Sequence, residues 1–264
     1  MTGTPVAGPR ETPVANPFFE FLLRLADDRL VLGHRLSEWC GHAPMLEEDI
    51  AIANIALDLV GQSSVLLALA GEEEGAGRDA DALAYFRSET GFRNAQLTEL
   101  PDGDFAFTIV RQFLFDAFSV LQWQQLQQCH AEKLAGVAAK ALKEDTYHLR
   151  HSSDWVLKLG DGTDESHRRT QAALDRLWRF TGELFEHDAV DDAVARRGIV
   201  VVDHAALRAQ WHSLVSGVVA RATLVRPTDI PMATGGRRGR HTEYLGHMLS
   251  DMQIVARSHP GATW

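Results

Sequence analysis

The sequence predicts an all-α fold, a ferritin-like helical bundle with additional helices, and three observations carry the all-helical expectation. Apolar residues recur with helical spacing along almost the whole 264-residue chain, period-two segments that would read as strands are missing, and cap residues stand where helical patterns begin. No repeat of 20 to 50 residues is visible, which removes a solenoid as the source of so much helix.

The first helix should start after Asn16 and Pro17, a cap followed by a proline suited to the first turn, and place Phe18, Leu22, Leu25, Leu32, Leu36 and Trp39 on one stripe before Gly41–Pro44 stops it. A second, from about Met45 to Ala70, is apolar nearly all round, broken mainly by Asn54, Asp58 and Gln62, and is expected to be buried on more than one side. A linker at 71–77 and a short helix near Ala80–Glu89 follow. Asp102 or Asp104 then opens a long helix through Phe105, Ile109, Phe113, Val120 and Trp123, with Asp116 at mid-length. The next, near Lys133–Leu159, should close at Gly160 as a left-handed cap. Helices at about Asp164–Phe185 and Asp188–Arg196, one capped by Asp203, and a last from about Thr242 to Ser258 complete the chain. Residues 226–240 read as a loop. The expected organisation is a tail over residues 1–15 and one domain over 16–264, with Trp39, Trp123, Trp155, Trp178 and Trp211 as core residues.

Composition excludes several classes. Lys and Arg total 26 against 36 Asp and Glu, and the net charge of -10 repels a phosphate backbone, so nucleic acid is not an expected partner. Cys40 and Cys129 lack Cys-x-x-Cys spacing, which fits a reducing cytoplasm and two inert core thiols. The first fifteen residues lack the pattern of a secretory signal. The longest apolar run, Val65–Ala70, is far short of the ~20 residues that cross a bilayer, so no membrane is expected. No Gly-x-Ser-x-Gly turn supports acyl transfer.

Two carboxylate-and-histidine pairs are the candidate metal features, Glu144 with His148 and Glu243 with His247. Each is spaced by four residues, whereas a two-metal bundle takes one carboxylate from each of two helices and a Glu-x-x-His unit from each of two others. Three residues beyond Glu144 stands Tyr147, and three beyond Glu243 stands Gly246; only Asp145 lies three before His148. Asp58, Asp116, Glu144 and His148 each sit near the middle of a long helix and could converge. The set reads as degenerate, and the expected occupancy is no metal, catalytic residue or cofactor in this chain. An i, i+4 pair does share a helix face, so the spacing leaves room for a single ion. Separately, Gly235-Gly-Arg-Arg-Gly-Arg240 is a basic, flexible loop before a helix start, and Arg237, Arg238 and Arg240 are candidates for contact with an acidic partner or a phosphate.

Five segments, in order, carry a resemblance: Leu36-Ser-Glu-Trp-Cys-Gly-His-Ala-Pro44, Ala53-Asn-Ile-Ala-Leu-Asp-Leu-Val-Gly61, Lys143-Glu-Asp-Thr-Tyr-His-Leu-Arg150, Leu177-Trp-Arg-Phe-Thr181, and Thr234-Gly-Gly-Arg237 through Pro260-Gly-Ala-Thr-Trp264. From about Asn16 to Trp264 the chain resembles the phenylacetic acid catabolic protein family, and within it the non-catalytic members. The resemblance implies a ferritin-like structural subunit paired with a homologous catalytic di-iron subunit. A reductase carrying flavin and an iron–sulfur cluster would supply electrons from NADPH. The hetero-oligomer would epoxidise the ring of phenylacetyl-CoA with dioxygen during aerobic phenylacetate breakdown. In such a complex the basic loop would meet acidic groups of the partner or the CoA phosphates, an expectation that rests on its charge and not on the resemblance. A metal-binding oxygenase active in its own right is the enzyme alternative, and a ferritin-like metal store is disfavoured because it too needs clustered carboxylates.

Overall fold

A computed structural model describes residues 15–101, 103–228 and 230–262. The expected tail up to Val14, Asp102 as an alternative cap, and the final Thr263 and Trp264 lie outside those residues.

Helix α1 (Pro17–Ser37) begins as its sequence requires: the Asn16 side chain accepts the Phe19 N–H at 3.2 Å, and Pro17 takes a first-turn position that needs no amide partner. Helix α2 (Leu46–Glu74) outruns its expected end, because Glu72, Glu73 and Glu74 are good helix formers and the stop is Gly75, left-handed at φ 69°. Short helices α3 (Ala80–Tyr85) and α4 (Gln96–Glu99) lead to α5 (Phe105–Leu126), where the Asp104 side chain caps the Phe107 N–H at 2.9 Å. Helix α6 (Glu132–Gly160) runs antiparallel to it. Gly160 is the last helical residue rather than a left-handed cap; a Cβ there would sit 2.4 Å from the Ala222 carbonyl, so the glycine serves a close approach of two chain segments. Helices α7 (Asp164–Trp178), α8 (Ala189–Arg196), α9 (His204–Arg221) and α10 (Glu243–Ser258) complete the set. The expected Asp164–Phe185 helix breaks at Trp178, and Gly182–Phe185 forms a separate 3-10 turn.

Helices α1 and α2 pack along each other, as do α5 and α6, and α2 lies beside α6, which makes a four-helix bundle. Helices α7 and α9 cover α5, α8 lies on α1, and α10 packs near α3. No strand occurs among the described residues. Trp178 and Trp211 pack at 5.4 Å between ring centroids under α5, and the Trp211 Nε1 donates to the Leu114 carbonyl at 3.0 Å. Trp39 and Trp155 are only partly buried, edge-on to Phe105, and Cys40 is exposed rather than a core thiol.

By length and mean hydropathy (1.7 and 1.2) α2 and α5 could each cross a bilayer, which no single apolar run in the sequence suggests. In α5 that segment is 94% buried and forms the centre of the core. Helix α2 is different: it buries Ile52, Ile55, Leu59 and Leu66 against the rest of the chain, yet leaves Leu46 70%, Ile50 53%, Leu57 69% and Val65 48% exposed. Within this chain it is therefore buried on one side only.

Candidate functional site

The interior of the bundle is polar. Along α6 the inward residues include Ala138, Ala141, Asp145, His148, Ser152 and Val156, a stripe of three- and four-residue steps in which the polar members occupy the middle. Helix α5 presents Asp116, Ser119 and Trp123 to the same level, α2 presents Asp58 and Gln62, and α1 presents Arg29.

Arg29 is fully buried and organises the centre. Its Nε donates to Gln62 Oε1 (3.1 Å), its Nη1 to the Leu25 carbonyl (2.9 Å) and its Nη2 to Ser119 Oγ (2.7 Å), while the guanidinium stacks 4.0 Å from the Trp123 ring centroid. Gln62 and Ser119 pass that charge on: Gln62 Nε2 donates to Asp145 Oδ1 at 2.8 Å, and Ser119 Oγ to Asp145 Oδ2 at 2.5 Å. The Trp123 Nε1 donates to the same oxygen at 2.9 Å. A buried carboxylate must be compensated, and Asp145 is, by a cation acting through two side-chain relays. Burial pulls the Arg29 guanidinium down to about 10, still charged at neutral pH, with Asp145 and Asp28 holding it up.

His148 stands between two carboxylates and bonds to one of them, its buried Nδ1 having no hydrogen-bond partner among the described residues. Its Nε2 lies 3.0 Å from Asp58 Oδ2 and its Nδ1 3.5 Å from Asp145 Oδ1, and the ring is fully buried while Asp58 is half-exposed. Glu144 sits at the open edge, accepting from Gln62 Nε2 at 3.0 Å with Lys140 3.5 Å away. Asp58 and Glu144 both line a groove of about 740 Å³ between α2 and α6, whose walls include Leu57, Val65 and Val137.

Asp116 is the second buried carboxylate. Burial pushes it up to about 7, against the pull of His148, Ser152 and Gln112. Ser152 Oγ donates to Oδ2 at 2.7 Å and Gln112 Nε2 to Oδ1 at 2.6 Å, while the Gln112 Oε1 is buried without a partner, an acceptor for the Asp116 proton once the amide is turned over. An unfolded Asp titrates near ~4, so between about pH 4 and 7 the folded chain keeps a proton that the unfolded chain has lost. The contribution to stability is full below about pH 4 and is lost as pH rises towards 7, by up to ~4 kcal/mol. Asp116→Asn, neutral throughout, should flatten this limb in urea denaturation midpoints measured from about pH 5 to 8. An unchanged slope would show that folded Asp116 is ionised.

A two-metal centre needs inward carboxylates with free lone pairs on all four helices. These residues do not fit one. Helix α1 contributes a buried guanidinium where a carboxylate ligand would stand, and both oxygens of Asp145 are filled by protein donors from Gln62, Ser119 and Trp123.

The structure thus brings Asp58, Asp116, Glu144, Asp145 and His148 together. It does not add Glu243 and His247, which are exposed on α10. Residues missed in the sequence are Arg29, Ser119, the amide of Gln62 as a ligand of Asp145, and the indole N–H of Trp123. One signal for Arg29 was available: it fills the gap in the stripe Leu22, Leu25, Leu32, Leu36.

The basic loop divides. Arg237, expected to reach outward, is buried and forks onto Asp28 of α1 with Nη1–Oδ1 2.9 Å and Nη2–Oδ2 2.8 Å. Its backbone and that of Gly235 donate to Glu183 Oε1 at 3.2 and 2.8 Å. The reason is charge balance: Asp27 and Asp28 are buried side by side, and each requires a guanidinium, Arg87 for the first and Arg237 for the second. Arg238 is exposed and pairs with Glu186 at 3.0 Å, and Arg240 is exposed.

Comparison with known proteins agrees with this architecture. The family described as phenylacetic acid catabolic protein matches residues 9–264. A component of the 1,2-phenylacetyl-CoA epoxidase of Escherichia coli (strain K12) is 47% identical over 249 residues, covering 94% of this chain and 100% of its own length.

Proposed function

The chain belongs to the phenylacetic acid catabolic protein family, and from that premise we propose that it is the structural subunit of a multicomponent aryl-CoA ring epoxidase. Its ferritin-like bundle scaffolds a homologous catalytic subunit, which holds the di-iron centre and epoxidises phenylacetyl-CoA in aerobic phenylacetate catabolism. A flavin and iron–sulfur reductase feeds that subunit, and the complex is cytoplasmic. The relative's name, which makes it one component of an epoxidase, supports assignment to such a complex.

The observation that carries the structural role is the charge-compensated interior. The guanidinium of Arg29, held by Gln62 and Ser119, occupies the middle of the bundle with Asp145. A subunit without a metal contributes by shape. Its rigid helices keep the partner's reacting groups in place, where small displacements cost ~100-fold in rate. The exposed stripe Leu46, Ile50, Leu57 and Val65 on α2, beside the groove against α6, is the face offered to that partner. Obligate subunit interfaces are apolar and commonly exceed ~2,000 Å². Arg240, exposed, and Arg238, exposed beside Glu186, are the loop residues placed to meet acidic groups of the partner or CoA phosphates.

The competing reading, a metal-binding oxygenase in its own right, is favoured by Asp58 and Asp145 meeting one imidazole. Iron and manganese analysis decides between them. The chain purified alone from iron-supplemented medium should carry almost none, with iron and turnover appearing only after co-expression with the catalytic homologue. About two metals per chain, lost in His148→Ala, would make this subunit the oxygenase.

A further inference from the structure

We propose that His187, Asp191 and His204 form a binding site for a zinc-class divalent cation at the corner where α8 and α9 begin. The three residues come from three segments: His187 from the turn before α8, Asp191 from the first turn of α8, and His204 from the first position of α9. One ligand atom from each falls within 4.8 Å of the others. His204 Nε2 is 3.2 Å from Asp191 Oδ1, and the two imidazoles stand 5.3 Å apart at 74°.

The carboxylate is oriented as a metal ligand is. Asp191 Oδ2 takes the Asp188 N–H at 3.1 Å and lies 3.3 Å from Arg24 Nη1, while Oδ1 is turned towards His204. Outer partners of this kind fix a ligand's orientation and its basicity. The opposite side is open: His187 and Asp192 are both half-exposed, paired at 2.9 Å, which gives an ion a route in and leaves room for water as a fourth donor. Two imidazoles with one carboxylate suit Zn²⁺, Co²⁺, Ni²⁺ or Cu²⁺, whereas Mg²⁺ and Ca²⁺ favour all-oxygen sites. The Nδ1 of His204 is buried without an acceptor behind it. A missing outer partner weakens such sites by ~10–100-fold. A bound ion would clamp the start of α8 to the start of α9.

The test is titration of the full-length, chelator-stripped chain with Zn²⁺ by calorimetry, with Mg²⁺ as control and Co²⁺ for its visible absorption. The expected result is one Zn²⁺ per chain, no Mg²⁺ binding, and a Co²⁺ band of a nitrogen and oxygen ligand set. His187→Ala should weaken Zn²⁺ by about 10-fold or more, and His204→Ala should abolish binding. His187 is half-exposed, so its variant keeps the fold and decides the question even if His204→Ala does not fold. No Zn²⁺ uptake, or uptake unchanged in His187→Ala, overturns the proposal, the latter because the ion would then sit among other histidines of the 12 in the chain.

Discussion

Arg29→Met is expected to destabilise the chain by ~3–5 kcal/mol, the cost of leaving one partner of a buried charge pair uncompensated. For a chain of this size that is a fall in melting temperature on the order of 10 °C. The arginine spends its donors on Gln62, Leu25 and Ser119, so the substitution strips Asp145 of its cation and removes the donor to each of these three buried acceptors at once. Met fills most of the volume, so the loss measures electrostatics more than packing. A second substitution separates the terms: with Asp145→Asn in place, Arg29→Met should cost much less, since the charge that required a cation has gone. Equal costs in the two backgrounds would place the neutralising group elsewhere. If the chain acts only as scaffold, turnover of the assembled complex should fall with the folded fraction, and KM for phenylacetyl-CoA should not move.

How much of this was legible in the sequence differs between fold and site. The long helices were readable because their stripes and caps are local: Asn16, Asp104 and Asp203 each cap the helix that follows, through a side-chain bond to a nearby backbone N–H. The ends were not readable where tertiary contact decides, as at Gly160, whose role depends on Ala222, far along the chain. At the site, the carboxylates and His148 stand out because they are the residue types that metal chemistry uses. Arg29, Ser119 and Trp123 do not, because an arginine, a hydroxyl and an indole belong to no ligand pattern. The frame was also one residue out: Glu144 is four before His148 and shares its helix face, but the buried α6 stripe runs through Asp145. Arg237 was hidden for a related reason, since a basic glycine-rich loop reads as solvent-facing until Asp28 is seen to need it. His187 and His204 are brought together only by the turn of the chain through α8.

Ile50→Asp combined with Leu57→Asp should abolish co-purification with the catalytic subunit while leaving the melting temperature of the isolated chain within about a degree or two. Both side chains are exposed in this chain, so neither substitution opens a cavity or buries a charge within the fold. In an assembled complex each would lose the ~1.5–3 kcal/mol of burying an Ile or Leu, and would add the desolvation of an aspartate. Two such losses exceed ~4 kcal/mol, about 1,000-fold in Kd. Val201 and Val225 are at least as exposed but lie off α2, so Val201→Asp with Val225→Asp provides the control and should leave assembly intact. The outcome bears on more than the interface. Helix α2 carries the exposed stripe on one side and Gln62, which holds Asp145, on the other. A partner seated on Leu57 and Val65 would close the groove over Asp58 and Glu144, removing those carboxylates from solvent only when the complex forms. Loss of assembly in the α2 pair alone would tie the polar interior to the docking face through one helix; assembly in both pairs would move the interface off α2.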